Sequence, residues 1–211
     1  MTLKTLYKQN KIFFLGYFLL VAIAIFLLIY LSKADAFVFM NPLHTDFFNW
    51  LFITFSLIGD GIFSVVLAII FFVYKEKFLG LMVFTSFAIS GIATQILKKI
   101  VAEARPALFL EKANYPYFID GITLHNLNSF PSGHSTSIFA LAAVLSFALK
   151  DKRYSIIFLI VAALVGYSRI YLGQHFIDDV LAGSLVGILT SIVCWIFFEK
   201  YFKRVLKIPA S

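Results

Sequence analysis

Twenty consecutive residues, 12–31, carry no charged side chain, and that run constrains the fold more than any other feature. A hydrocarbon core takes about 20 apolar helical residues to cross. In lipid every backbone N–H and C=O must find its partner within the protein, so the spanning element has to be a helix or a closed barrel. Further apolar runs follow, divided by short charged breaks, and the 211 residues are 61% hydrophobic and 14% charged. That composition lies far from the range of soluble domains. The expectation is an all-α integral membrane protein forming one domain over 1–211. Its six-transmembrane-helix bundle spans about 12–31, 51–74, 78–97, 134–149, 156–172 and 179–198.

The segment "ADA" at Ala34, Asp35 and Ala36 resembles a signal-peptidase site. The apolar run before it exceeds the roughly 7–15 residues of a signal peptide, so it is read as a retained span. Cys194 is the only cysteine and lies in an apolar run, which excludes a disulfide framework or a thiolate metal cluster and leaves a packing role. Basic residues assigned to alternate loops divide unequally. Twelve fall with the two termini and the 75–77 and 150–153 turns, and six (Lys33, Lys98, Lys99, Arg105, Lys112 and Arg169) fall on the other side. The positive-inside rule then places both termini in the cytoplasm. The cytoplasmic "KDKRYS" and "KRVLK" are read as topology determinants that are also compatible with anionic lipid.

Five of the six outward cations gather at or near the ends of the third and fifth spans or in the loop after the third. There, four predicted helix ends carry "KKIVAEARP", "PSGH", "GYSRIYLG" and "QHFIDD". Charged groups at membrane depth are costly and need a polar or protein-lined surround. Snorkelling explains an isolated Lys or Arg, but it explains His134, His175 and Asp179 poorly. Lys98 and Arg105 are seven apart, close to two helical turns, so one helix face can present both, with Pro106 ending the element. In "PSGH", Ser132 suits an N-cap and Gly133 lets a ligand approach the backbone. The first amides of the following helix lie at the positive end of its dipole and suit an anion. His134 adds a proton donor. His175 and Asp179, four apart, are neighbours on a helix face. A carboxylate on one ring nitrogen fixes the tautomer and frees the other. Asp178 is assigned to the interface, without a catalytic role.

Together, K-x6-R-P (Lys98, Arg105, Pro106), P-S-G-H (residues 131–134) and S-R-x5-H-x3-D (Ser168, Arg169, His175, Asp179) resemble the three-part signature of the type 2 phosphatidic acid phosphatase family. That family includes integral-membrane lipid phosphatases and shares its site plan with vanadium-dependent haloperoxidases. The resemblance covers the third to sixth spans. It implies His175 as nucleophile through a phosphohistidine, Asp179 as its orienting carboxylate and His134 as general acid. Lys98, Arg105, Ser132, Gly133 and Arg169 are implied as binders of the substrate phosphate. The reaction implied is metal-independent hydrolysis of a lipid phosphate or diphosphate, of undecaprenyl diphosphate, phosphatidylglycerophosphate or lipid A type. The residues point to no metal and no cofactor, since no compact carboxylate cluster stands out in the sequence. The expected partners are the bilayer and a membrane lipid phosphate, with no nucleic acid. The expected location is a bacterial inner membrane with the site on the periplasmic face. A phosphotransferase using the same histidine is an alternative. A lipid or anion transporter is another, though polar residues gather on one side only, unlike an inverted repeat.

Asp60, between Gly59 and Gly61, falls inside the second expected span. It is read either as functional or as marking a break that would lay 37–57 along the outer interface and lift Asp60 toward the pocket. Phe109, Tyr115, Tyr117, Phe118 and Phe130 suggest interfacial anchoring, or a lid over a headgroup. Glu103, Glu111 and His125 are read as solvated. Gly183 and Gly187 form a small-xxx-small pair suited to helix packing within the monomer or in a dimer.

Overall fold

The computed structural model describes residues 1–41, 44–110 and 118–205, and the side chains of 202–205 are outside it. Glu111, Lys112, Tyr115, Tyr117 and Lys207 therefore lie outside the described residues, as do the side chains of Lys203 and Arg204. Every regular element described is helical. In order they are α1 (Leu3–Gln9), α2 (Lys11–Tyr30), α3 (Lys33–Phe39), α4 (Asp46–Ile58), α5 (Gly61–Val73), α6 (Lys77–Val101), α7 (Pro106–Leu110), α8 (Gly133–Ala148), α9 (Ser155–Tyr171) and α10 (Ile177–Val205). A 3-10 turn, Lys152–Tyr154, leads into α9.

α2, α6, α9 and α10 belong to the four stretches long and apolar enough to cross a membrane singly, and α4 with α5 forms a bent pair that passes the same test together. α8 has only sixteen residues, and Ser135–Val144 is buried throughout. A helix apolar all round is a core helix, and α8 is the centre on which α10, α9 and α6 pack. α2 instead exposes Leu15, Phe18, Leu19 and Phe26, as a lipid-facing helix does.

The expected second span, 51–74, is two helices meeting at 53°. Asp60 makes the break: its carboxylate accepts from the Ile62 N–H at 2.9 Å and caps α5. The halves then lean on different neighbours, α4 on α9 and α5 on α6. The small helices α1, α3 and α7 were not anticipated. Ser32 caps α3 through the Asp35 N–H, and Asn10, buried, separates α1 from α2.

The α8–α10 contact is as close as backbones allow. A Cβ on Gly183 would fall 2.5 Å from the Ser132 carbonyl oxygen, and one on Gly187 only 2.4 Å from that of Thr136. Both glycines therefore serve packing inside the monomer. With backbone as the obstacle, Gly187→Ala is expected to cost roughly 1–3 kcal/mol, the usual range for overpacking. Unfolding followed in detergent micelles measures it, and a midpoint equal to that of the unaltered protein would refute the contact.

Candidate active site

α8 begins where the chain turns through Ser132, whose hydroxyl caps the helix by accepting from the Ser135 N–H at 3.4 Å and the Ser135 hydroxyl at 2.9 Å. The Ser132 N–H donates to the Asp179 carbonyl at 2.9 Å. This one bond ties the start of α8 to the first turn of α10. Ser132 is fully buried and its oxygen is turned to its own helix, so it frames the cavity from behind. Gly133 and His134, by contrast, line a cavity of about 360 Å³ together with Lys98, Arg105, Arg169 and His175. A Cβ on Gly133 would meet nothing within 4 Å. The helix start is thus open at the end where its dipole favours an anion.

His175 lies two residues before α10, so it does not share a helix face with Asp179 as their four-residue spacing suggested. Asp179, in the first turn, reaches back instead. Its Oδ2 accepts from the Phe176 N–H at 2.8 Å and stands 3.4 Å from His175 Nδ1. This is the reach-back of an acidic side chain in a capping box, and it leaves Nε2 as the ring nitrogen away from the carboxylate. The Ser129 hydroxyl donates to the same Oδ2 at 2.5 Å and lies 3.5 Å from Nδ1. Both His175 and Asp179 are buried. Burial holds the His175 imidazole well below its usual range, and the nearby Arg105, Arg169, Lys98 and His134 add to the effect. The neutral ring is therefore the resting form.

The three cations reach the cavity from three places. α6 ends at Val101, where Ala102 adopts a left-handed conformation at φ 47°, uncommon for a residue with a Cβ. Lys98 and Arg105 therefore do not share one helix face, as their spacing implied. Arg105 follows the helix, its own N–H donating to the Asn126 carbonyl. Its side chain donates from Nε to Leu127 O at 3.1 Å and from Nη1 to Gln174 Oε1 at 3.1 Å. Lys98 Nζ donates to Asn128 O at 2.6 Å. Arg169, near the end of α9, donates from Nη1 to the Ser56 hydroxyl of α4, while its buried Nε has no hydrogen-bond partner. Ile53, Ser56 and Leu57 of α4 form one wall of the cavity. Among the described residues, none of the three cations lies within ion-pair distance of a carboxylate.

Ser129, Gln174 and Ser56 went unnoticed in the sequence. Ser129 lies two residues before the P-S-G-H motif and Gln174 precedes His175, so nearness to the motifs was the available signal; Ser56 carried none. The absence of a carboxylate cluster is also corrected. Glu103, Asp178 and Asp179 bring oxygens within 4.8 Å of one another. The Lys33 ammonium joins two of them, bonding Glu103 and, at 2.8 Å, Asp178. Burial alone would push Lys33 down, but the hydrogen bonds to Asp178 and Glu103 outweigh it and raise the ammonium above its usual range. Glu103 is thus ion-paired, and the cluster already holds a cation. Asp60 caps its helix and does not line the cavity.

The family model described as PAP2 superfamily matches residues 79–203. The chain is similar to a lipid A 1-phosphatase of Rhizobium etli, 34% identical over 131 residues that cover 58% of this chain and 55% of that protein. It is also similar to an undecaprenyl-diphosphatase of Sulfolobus acidocaldarius, 32% identical over 122 residues, covering 58% and 56%. The chain spans about half the length of these curated relatives. A crystal structure of a PAP2-type phosphatidylglycerolphosphate phosphatase from Bacillus subtilis superposes with a TM-score of 0.65 at 26% identity. The match covers 92% of this chain and 98% of that one.

Cations with no carboxylate in ion-pair distance, set around a partly enclosed cavity, favour an oxyanion between them. Inorganic phosphate is expected to raise the unfolding temperature of the purified protein in detergent. Arg105→Met with Arg169→Met should remove that shift, and a shift persisting in the double variant would place the anion elsewhere.

Proposed function

The chain belongs to the PAP2 superfamily, and from that premise we propose that it is a metal-independent phosphohydrolase acting on a membrane lipid phosphate or diphosphate. The observation that carries the reading is the shared cavity. His134 and His175 line it with Lys98, Arg105 and Arg169, while Asp179 stands behind His175. Two imidazoles around an anion-sized space bounded by cations suit phosphoryl transfer, which rests on positioned charge more than on covalent machinery.

In this reading the lipid's phosphate settles among Lys98, Arg105, Arg169 and the Gly133 end of α8. His175 Nε2 attacks phosphorus as the bond to the leaving oxygen breaks, and His134 gives that oxygen its proton. Asp179 stabilises the ring as it gains charge. Water then attacks the phosphohistidine and passes a proton to His134, releasing phosphate and the free imidazole. Dividing the displacement into two steps is the gain of covalent catalysis. Equatorial oxygens of the transferring group find donors already in place. Ser132 contributes by holding α8 in register with Asp179.

The protein is integral to the membrane. Four long helices, the bent α4–α5 pair and α8 make six crossings in this reading. Both termini are cytoplasmic and the cavity opens on the periplasmic face of a bacterial inner membrane, in keeping with the basic residues, twelve to one side and six to the other. The relatives' names point to substrates of lipid A, undecaprenyl diphosphate or phosphatidylglycerophosphate type, and short loops favour a substrate arriving sideways through the bilayer.

His175→Ala should abolish phosphate release from a panel of such lipids while the protein stays folded in detergent; full turnover by that variant would remove the nucleophile assignment. The unaltered enzyme should keep its rate in excess EDTA, whereas a loss restored only by one divalent ion would mean that a metal takes part.

A further inference from the structure

Lys33 sits at the first position of α3, outside residues 79–203 where the chain matches its family. Like Lys99 and Lys112, it is an outward cation that the three motifs leave unexplained. Its ammonium bonds the Glu103 carboxylate and Asp178 Oδ2, and stands 4.5 Å above the ring of Phe176. Each of those residues adjoins a part of the site. Glu103 follows α6 and accepts, through its backbone carbonyl, the Ser129 N–H at 3.0 Å. Ser129 in turn donates its hydroxyl to Asp179 Oδ2. Asp178 is the neighbour of Asp179, and the Phe176 N–H is another donor to that same oxygen.

We propose that Lys33 is a positioning residue, an ammonium staple supplied by the N-terminal part of the chain that holds Asp179, and through it His175, in the reactive orientation. This rests on the phosphohydrolase reading above and adds to it a residue that touches neither substrate nor reacting atoms. The staple joins the segment after α6, the segment before α8 and the first turn of α10, the three places from which the candidate site is assembled. Its removal leaves three carboxylates whose oxygens lie within 4.8 Å, and like charges so placed repel. The easiest relief is for Asp178 and the first turn of α10 to swing away, which takes Asp179 from His175 Nδ1. Phe37 of α3, packed edge-on to Phe176 at 5.6 Å, keeps Lys33 over this turn.

The test compares Lys33→Met, which keeps the apolar stem, with Lys33→Arg, which restores a cation able to bridge two carboxylates. Since small misplacements of a reacting group cost up to about 100-fold in rate, Lys33→Met should lower kcat roughly 10- to 100-fold. KM for the lipid should change by less than about twofold, because the cations around the phosphate are untouched. Lys33→Arg should recover most of the rate. Should Lys33→Met fail to fold, Glu103→Gln removes one arm of the staple and should give a smaller fall of the same kind. Nitrogen-15 NMR of the imidazoles, with His175 assigned by the His175→Ala difference, provides a readout that does not depend on turnover. The parent protein should show a single Nδ1-protonated tautomer, and the staple variants a mixture. Wild-type kcat with an unchanged His175 spectrum in Lys33→Met, or in Glu103→Gln if only that folds, would overturn the staple. If the parent releases no phosphate from any lipid, the hydrolase reading fails, and the tautomer comparison still decides whether Lys33 orients His175.

Discussion

The bond from the Ser132 N–H to the Asp179 carbonyl is the constraint on which the site depends. It requires two helix starts to meet backbone to backbone, and that requires helix surfaces with nothing between them. Gly183 and Gly187 provide this surface: at either position a methyl group would stand within 2.5 Å of a carbonyl oxygen of Ser132 or Thr136. In a membrane, where burial from water does not draw helices together, small residues and close contact do that work. The site is thus fixed first by the absence of side chains and only then by their presence.

Around that joint, neutral groups hold the charged ones. Carbonyls of Asn128 and Leu127, the Gln174 amide and the Ser56 hydroxyl direct Lys98, Arg105 and Arg169. A carboxylate in any of those places would cancel the field that an incoming oxyanion meets. Carboxylates do occur nearby, but they are set apart: Asp179 serves the imidazole, while Glu103 and Asp178 are joined by Lys33. The acidic groups and the anion-facing cations occupy two sides of the same small region, with the His175 turn between them.

Much of this could be read from the residues alone. Apolar runs located the starts of the long helices to within a few positions, because lipid leaves a chain little choice, but α10 runs on to Val205, past the expected end at 198. The motifs named the cavity's charged residues, because those side chains are expensive in an apolar setting and so stand out. Local geometry was harder. Spacing suggested that Lys98 and Arg105 share a helix, but Ala102 turns left-handed, and nothing in an alanine announces that. Spacing also suggested that His175 and Asp179 share a helix face, whereas Asp179 reaches back to a residue before the helix. The α4–α5 break was foreshadowed by the two glycines beside Asp60. Lys33 was hidden for another reason: its partners are 70 and 145 residues away, and a lone lysine after an apolar run looks like any interfacial anchor.

The length of α8 has one more consequence. Sixteen residues rise about 24 Å, some 6 Å short of a hydrocarbon layer about 30 Å thick. A lipid-facing helix of that length would have to thin the bilayer around it, but α8 is sheathed in protein and feels no such mismatch. In the topology proposed above, with its inner end at the membrane surface, the shortfall would become a recess at the other end, floored by Gly133 and His134. On that reading, a lipid headgroup reaching them would have to sink below the plane where its neighbours float.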